Sequence, residues 1–181
     1  EKNPKSEYGK SKLAGETALL KYAPKNSMII RTSWLFSEYG SNFVKTMIDL
    51  MSKRAEISVV FDQKGSPTYA RSLAEVVWLI LAGNRFKPGT YHWTNSGRTT
   101  WFEFANRIKK LGARKGLITQ PAEILPVSSQ DFKTKAVRPS FSVLDSQNLI
   151  ELIDHQPSNW EASLEEMLER LRSKTQPDSL S

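Results

Sequence analysis

The chain has 181 residues, 39% of them hydrophobic, and contains no cysteine. No apolar run approaches the roughly 18 residues that a membrane span needs, and a disulfide framework is excluded. The net charge is +7, but the basic residues are spread along the chain, which argues against a nucleic-acid interface. We therefore expect a soluble cytoplasmic protein without membrane or nucleic-acid partners.

The first predicted element is a helix over residues 9–22, followed by Pro24. Tyr8 and Lys12 lie at its start, four positions apart, and residues at this spacing are neighbours on a helix surface. The ammonium group of Lys12 favours the ionised form of the Tyr8 phenol, so the phenol becomes a competent proton donor near neutral pH. A carbonyl reductase needs this arrangement, although the spacing alone also fits an ordinary helix surface.

A short apolar run at 27–32 predicts a strand that is buried in a parallel sheet. Its carboxyl end carries Arg31 and leads into Trp34, at the edge of the sheet where α/β proteins bind ligands. A tryptophan directly after a buried strand also fits a core residue.

The rest of the chain alternates between helices and strands, which predicts an α/β fold. Predicted helices lie at 41–53, 70–82, 100–111, 146–153 and 160–171, and predicted strands at 57–61, 89–94 and 124–127. Thr99 or Thr100, followed by Glu103, predicts a capping box at the helix 100–111. The polar residues 173–181 are predicted to be disordered.

Five segments in a fixed order carry a resemblance to a known family. They are residues 3–16 with the Tyr8–Lys12 pair, Arg-Thr-Ser-Trp-Leu-Phe at 31–36, Asp-Gln-x-Gly-x-Pro-Thr at 62–68, Gly-x-Tyr-His at 89–92 with Thr-Trp-x-Glu-Phe-Ala at 100–105, and Arg-Pro-x-x-Ser-x-Leu-Asp at 138–145. Together they resemble the dTDP-4-dehydrorhamnose reductase family of extended short-chain dehydrogenases/reductases. The second and third segments favour this family over sugar epimerases and dehydratases.

The resemblance implies the C-terminal portion of an NAD(P)-binding Rossmann-type fold with a smaller α+β substrate-binding lobe. Residues 1–62 would belong to the Rossmann domain, 63–145 mainly to the lobe with some returning segments, 146–172 to C-terminal helices and 173–181 to a disordered tail. The nine glycines form no Gly-x-Gly-x-x-Gly pattern, and the family binds the dinucleotide pyrophosphate at a glycine-rich turn. We therefore expect that turn, and a catalytic Ser or Thr, upstream of Glu1.

The implied reaction is NAD(P)H-dependent reduction of the C4 carbonyl of dTDP-4-dehydro-L-rhamnose to give dTDP-L-rhamnose. Tyr8 would protonate the sugar oxygen, Lys12 would hold the nicotinamide ribose, and both would contact the cofactor together with Arg31. Trp34 would offer the sugar apolar contact and one N–H donor. The implied substrate contacts are Trp34, Gln63, Pro67, Thr68 and Arg138. NADPH and NADH are not distinguished, while Mg²⁺ and a homodimer stay open and no metal ligand is identified.

Two alternatives to this activity also stay open. Another nucleotide-sugar enzyme of the superfamily, such as a 4-epimerase, would share Tyr8 and Lys12 and differ in its sugar pocket. A non-catalytic relative of the methionine adenosyltransferase regulatory subunit would keep the fold and act by binding a partner. Tyr69 stands where relatives often have a small residue, which leaves the shape of the pocket open.

Overall fold

The computed structural model describes residue 4, residues 6–132 and residues 139–175. The helices are α1 (Glu7–Tyr22), α2 (Phe43–Lys53), α3 (Ala70–Ala82), α4 (Trp101–Arg114), α5 (Gln147–Ile153) and α6 (Trp160–Thr175). The strands are β1 (Met28–Arg31), β2 (Leu35–Phe36), β3 (Glu56–Val60), β4 (Lys64–Gly65), β5 (Thr68–Tyr69), β6 (Gly89–His92), β7 (Thr99–Thr100), β8 (Glu123–Val127) and β9 (Phe141–Ser142). Helix α6 continues three residues into the segment for which the sequence predicts a disordered tail.

Side-chain caps fix where three of the helices begin. Ser6 and Asn42 each accept a hydrogen bond from the backbone N–H three residues later, at the starts of α1 and α2. At α4 the predicted capping box is present, with Thr100 Oγ1 accepting the Glu103 N–H and the Glu103 carboxylate accepting the Thr100 N–H. That backbone hydrogen bond lowers the pKa of Glu103. The polar cap therefore determines the position of Trp101, the first residue of α4.

Two parallel strand pairs organise the hydrophobic packing. The pair β3–β8 lies against α2 and α4, and α6 packs on α4; their buried side chains form the larger core, with Phe104 fully buried in it. The pair β1–β6 packs with α3 and α5 in a smaller core, where Trp93 is fully buried. The three short strands β7, β4 and β9 form a further sheet.

The two cores do not follow one division of the chain, and the predicted domain boundaries stay a prediction. Helix α2 and strand β3 fall in the predicted Rossmann part, yet they pack in the larger core because β3 pairs with β8. Helix α3 and strand β6 fall in the predicted lobe, yet they pack with β1. The chain therefore crosses between the two cores several times, and a single cut in the sequence does not separate them.

Helix α1 carries apolar surface that the described residues leave exposed. None of its residues is buried, and Leu19 and Leu20 are both exposed. Strand β1 beside it is only half-buried along its whole length. Helix α3, which packs in the same smaller core as β1, also exposes Trp78 and Leu81. Exposed apolar side chains of this kind are expected if β1 belongs to a larger sheet and α1 packs against that sheet.

Candidate functional site

Tyr8 and Lys12 lie side by side on the first two turns of α1. The Lys12 Nζ atom is 5.4 Å from the centroid of the Tyr8 ring, as the four-residue spacing predicts. The Tyr8 side chain is 72% exposed, so a ligand can reach its hydroxyl. The pair has the composition and the access that a proton donor with an adjacent cation requires.

Arg31 connects the helix that carries this pair to strand β1. Its Nε donates to Glu16 Oε1 over 2.7 Å and its NH2 to Glu16 Oε2 over 2.5 Å. The Glu16 hydrogen bond raises the pKa of Arg31. This bidentate ion pair ties α1 to β1, and the predicted contact of Arg31 with the cofactor stays a prediction.

The connection between α1 and β1 gives the expected direction of Tyr8 from this ion pair. Helix α1 ends at Tyr22 and β1 begins at Met28, and consecutive elements joined by so short a connection normally pack side by side in opposite directions. Tyr8 lies eight residues before Glu16, which is about 12 Å along a helix. We therefore infer that Tyr8 lies towards the carboxyl end of β1, on the side where the chain continues to Trp34.

A cleft of about 320 Å³ opens beside that end of the sheet. Its lining residues are Trp34, Gln63, Trp101, Pro139 and Ser142. Of the predicted substrate contacts, Trp34 and Gln63 line this cleft, whereas Pro67 and Thr68 are buried and are not among its lining residues. The Thr68 N–H donates to the Trp34 carbonyl oxygen over 3.1 Å, so Thr68 supports the cleft from behind. Arg138 lies outside the described residues.

The Trp34 indole is fixed at this cleft by its neighbours. It stacks on the Trp101 indole with ring centroids 3.5 Å apart and an angle of 9° between the planes. Its Nε1–H donates to Ser142 Oγ over 3.0 Å. Ser142 therefore accepts the hydrogen bond of this N–H without a ligand, and donation of the N–H to the sugar stays a prediction.

Two residues of this arrangement, Trp101 and Ser142, had no assigned role from the sequence, although each lies in a segment of the resemblance. Trp101 and Ser142 line the cleft. Gly65 lies against Trp34, and a Cβ atom at Gly65 would fall 2.3 Å from Trp34 Cε2. The glycine of Gln-x-Gly-x-Pro-Thr is therefore needed for the close approach of the indole. The spacing within each segment gave no sign that the three segments meet.

A second cavity, of about 520 Å³, adjoins the first and shares Gln63 and Trp101 with it. It lies between α2 and the β3–β8 pair and is lined by apolar side chains that include Phe43 and Met47, with Arg54 among its polar residues. Together the two cavities give an elongated space with aromatic walls and a few polar groups, which is typical of a site for a small organic ligand.

The sequence profile of the RmlD substrate binding domain matches residues 1–173. The chain belongs to this family. It is 39% identical over 166 residues to dTDP-4-dehydrorhamnose reductase from Aggregatibacter actinomycetemcomitans, covering 90% of this chain and 56% of the relative. It is 43% identical over 171 residues to the spore coat polysaccharide biosynthesis protein SpsK from Bacillus subtilis, covering 94% and 56%. This RmlD-type chain thus spans somewhat over half the length of these relatives.

Solved structures agree with the family and with the fold. A dTDP-4-dehydrorhamnose reductase from Bacillus anthracis, in complex with NADP, superposes with a TM-score of 0.80 at 39% identity, covering 93% of this chain and 56% of that one. A UDP-glucose 4-epimerase from Thermotoga maritima superposes with a TM-score of 0.74 at 17% identity, covering 96% and 55%. At that identity the epimerase shows the fold alone, which is the α/β fold of extended short-chain dehydrogenases/reductases.

Tyr69, the departure noted in the sequence, belongs to the core of this RmlD-type domain. Its side chain is 1% exposed, and it stacks on Phe36 with ring centroids 5.4 Å apart. Its hydroxyl donates to Glu38 Oε2 over 3.1 Å. Burial, with a smaller effect of Glu38, raises the pKa of Tyr69. The phenol therefore donates a hydrogen bond within the core. Tyr69 is not among the residues that line the cleft.

Asp62, next to the cleft residue Gln63, joins the end of β3 to the segment after β8. Its Oδ2 accepts the Ser129 N–H over 3.0 Å and the Ser129 hydroxyl over 2.9 Å. The backbone hydrogen bond is the main cause that lowers the pKa of Asp62 below its ordinary value of 3.8.

We predict that this junction of the RmlD-type domain opens in acid. Because the folded pKa is depressed, the contribution of Asp62 to stability is fully present above the unfolded value, and it is lost as the pH falls through the lower folded value. The Ser129 amide should shift and exchange faster below about pH 4, as followed by NMR. In Asp62→Asn this pH dependence should be absent. A wild-type Ser129 amide that is unchanged down to pH 2 would contradict the prediction.

Two further expectations concern metals and membranes. Within residues 4, 6–132 and 139–175 there is no group of three or more His, Cys, Asp or Glu side chains that could hold a metal ion. These residues therefore do not support a Mg²⁺ site. No helix in the described part of this RmlD-type domain is long and apolar enough to cross a membrane.

Proposed function

We propose that this chain provides the sugar-binding cleft and the proton-donating pair of a dTDP-4-dehydrorhamnose reductase. One connection carries the proposal: the Glu16–Arg31 ion pair ties the helix that bears Tyr8 and Lys12 to the last residue of β1, and the cleft residue Trp34 follows three positions later. A reduction needs a proton donor next to the site that holds the carbonyl, and this placement supplies both. The relatives named dTDP-4-dehydrorhamnose reductase support the same activity.

In the proposed mechanism, the chain supplies position and a proton, and bound NADPH supplies the hydride to C4 of the sugar. As the C4 carbonyl gains the hydride, negative charge develops on its oxygen, and the Tyr8 hydroxyl donates its proton to that oxygen. The Lys12 ammonium stabilises the resulting phenolate of Tyr8, which recovers a proton from solvent. The product is a C4 hydroxyl, so the sugar becomes dTDP-L-rhamnose.

The residues present fit a bound nicotinamide nucleotide. Tyr8 and Lys12 are exposed on α1, so nothing in the described chain blocks a ribose from reaching them. The Bacillus anthracis relative was solved with NADP, which supports NADPH over NADH as the cofactor. Because Arg31 is held by Glu16, its part in the proposal is to orient α1, and a homodimer remains a prediction.

The cleft provides the space for the rest of the substrate. We assign the sugar to the cavity of about 320 Å³ that is lined by Trp34 and Gln63. We assign the nucleotide portion to the adjoining cavity of about 520 Å³. Arg138, next to the lining residue Pro139, stays as the predicted diphosphate contact, since a guanidinium pairs well with phosphate oxygens.

The proposed function is tested by assaying the full-length protein that carries this chain with dTDP-4-dehydro-L-rhamnose and NADPH. We expect stoichiometric loss of NADPH absorbance and formation of dTDP-L-rhamnose, identified by NMR. A parallel assay with NADH measures the cofactor preference. Consumption of the sugar without NADPH oxidation would contradict a reductase and indicate an epimerase.

We further predict that the 181-residue chain by itself does not oxidise NADPH. Its glycines form no dinucleotide-binding pattern, and the backbone N–H groups of such a turn provide much of the grip on a pyrophosphate. Calorimetry should detect weak binding of dTDP-L-rhamnose and little binding of NADPH. Micromolar affinity of the chain for NADPH would show that the cofactor site is misplaced in the proposal.

A further inference from the structure

The backbone of Trp34 is held in an unfavourable conformation. Its φ angle is +50°, in the left-handed region that bulky residues rarely adopt. Such a conformation persists only where the surroundings fix it, and it is frequent at ligand sites. Here the surroundings supply four contacts: the Trp101 ring, the Ser142 hydroxyl, the Gly65 backbone and the Thr68 N–H. The indole is thus preformed at the cleft.

Trp101 is the contact that is best placed to control this indole. It is the first residue of α4, so the Thr100–Glu103 capping box fixes its backbone. Phe43 packs on its ring with centroids 4.5 Å apart. Trp101 also lines both cavities. Its ring therefore lies between the helix framework and the Trp34 ring, at the boundary of the two cavities.

We infer that Trp101 is a positioning and specificity residue: it holds the Trp34 indole in place, and the two rings form one apolar wall that favours a deoxy position of the sugar over a hydroxylated one. This inference rests on the proposed function. The only polar group of Trp34, its N–H, is already bonded to Ser142. A sugar hydroxyl that is pressed against the faces of these rings loses its hydrogen bonds to water, because a ring face carries no N–H donor, whereas a methyl group loses none.

The wall should discriminate between dTDP-glucose and its 6-deoxy analogue, which differ only in the hydroxyl at C6. We expect the wild-type full-length protein to bind the 6-deoxy analogue about 10-fold or more tightly, the usual range for a single hydroxyl in an apolar site. Calorimetry with each nucleotide sugar measures this ratio. Equal affinities would overturn the inference that the wall sets this specificity.

Substitutions of Trp101 test its positioning role. Trp101→Ala should raise KM for dTDP-4-dehydro-L-rhamnose about 10-fold with kcat within about twofold of wild type, and should reduce the 6-deoxy preference, because the Trp34 ring is no longer held. Trp101→Phe, which keeps a flat ring, should retain most of the wild-type affinity for the substrate and most of the 6-deoxy preference. Trp101→Leu, which keeps the apolar volume without a flat ring, should resemble Trp101→Ala and serves if that variant fails to fold. Trp78→Ala, at a tryptophan that is 69% exposed on α3, is the matched control.

Circular dichroism gives a readout that is independent of catalysis. Two indoles stacked at 3.5 Å couple electronically and produce an exciton couplet, which should disappear in all three Trp101 variants and persist in Trp78→Ala. A folded Trp101→Leu variant that loses the couplet but keeps the wild-type KM and sugar preference overturns the inference. If the wild-type protein reduces no dTDP-4-keto sugar, the proposed function fails, while the couplet and the 6-deoxy preference still test the wall.

Discussion

Replacing Tyr8 by Phe in the full-length protein should lower kcat by about 10²-fold or more while leaving KM nearly unchanged. The substitution removes only the hydroxyl that donates the proton to the C4 oxygen, and a positioned acid contributes about 10²–10⁴-fold to a rate. The Tyr8 side chain is 72% exposed, so its loss of one oxygen should not change the stability of the fold. Steady-state kinetics with dTDP-4-dehydro-L-rhamnose and NADPH measures the effect.

The control for this substitution is Tyr22→Phe. Tyr22 is at the other end of the same helix, is 78% exposed, and also has a lysine Nζ within 5.2 Å of its ring centroid. It should keep wild-type kinetics. Lys12→Ala should both slow turnover and weaken cofactor binding, because its ammonium is proposed to serve Tyr8 and the ribose. Wild-type turnover in Tyr8→Phe would exclude Tyr8 as the proton donor.

Replacing Gly65 by Ala should destabilise the protein by about 1–3 kcal/mol, the usual cost of overpacking, and weaken binding of the dTDP-sugar. The new Cβ would lie 2.3 Å from Trp34 Cε2 and 2.6 Å from its Nε1, so the indole or the β4 backbone must move. Movement of the indole breaks the hydrogen bond to Ser142 and the stack on Trp101. Thermal unfolding and calorimetry with dTDP-L-rhamnose measure the two effects.

Gly15→Ala is the matched control for this change. A Cβ at Gly15 meets nothing within 4 Å, and the residue lies within α1, where alanine is favoured over glycine by about 0.5–1 kcal/mol. That variant should therefore be slightly more stable than wild type and bind the sugar equally well. If Gly65→Ala behaves in the same way, the contact between Gly65 and Trp34 does not constrain the cleft.

Much of the local structure followed from the sequence alone. The helix over residues 70–82 was predicted with the boundaries that α3 has, and the Thr100–Glu103 capping box was predicted at the start of α4. The neighbouring positions of Tyr8 and Lys12 followed from the helix repeat. These features depend on residues three or four positions apart, so short-range hydrogen bonding and helix geometry are sufficient to determine them.

The grouping of elements into cores did not follow from the sequence. Strand β3 pairs with β8, more than sixty positions later, and β1 pairs with β6. All four strands are only four or five residues long, and the pattern of apolar residues within so short a strand does not reveal which strands will meet. The predicted domain boundaries therefore stay a prediction, whereas the α/β class is confirmed.

The sequence by itself determined the α/β class, the family resemblance and the Tyr8–Lys12 pair, because each is encoded within one short segment or in the order of segments. Only the tertiary structure decided how the cleft is built. Trp34, Gly65, Trp101 and Ser142 come from four separate segments, and their contacts depend on the packing of β4 between β7 and β9. The indole N–H is bonded to Ser142, and the Arg31 guanidinium to Glu16, because folding brings those distant partners within hydrogen-bonding distance.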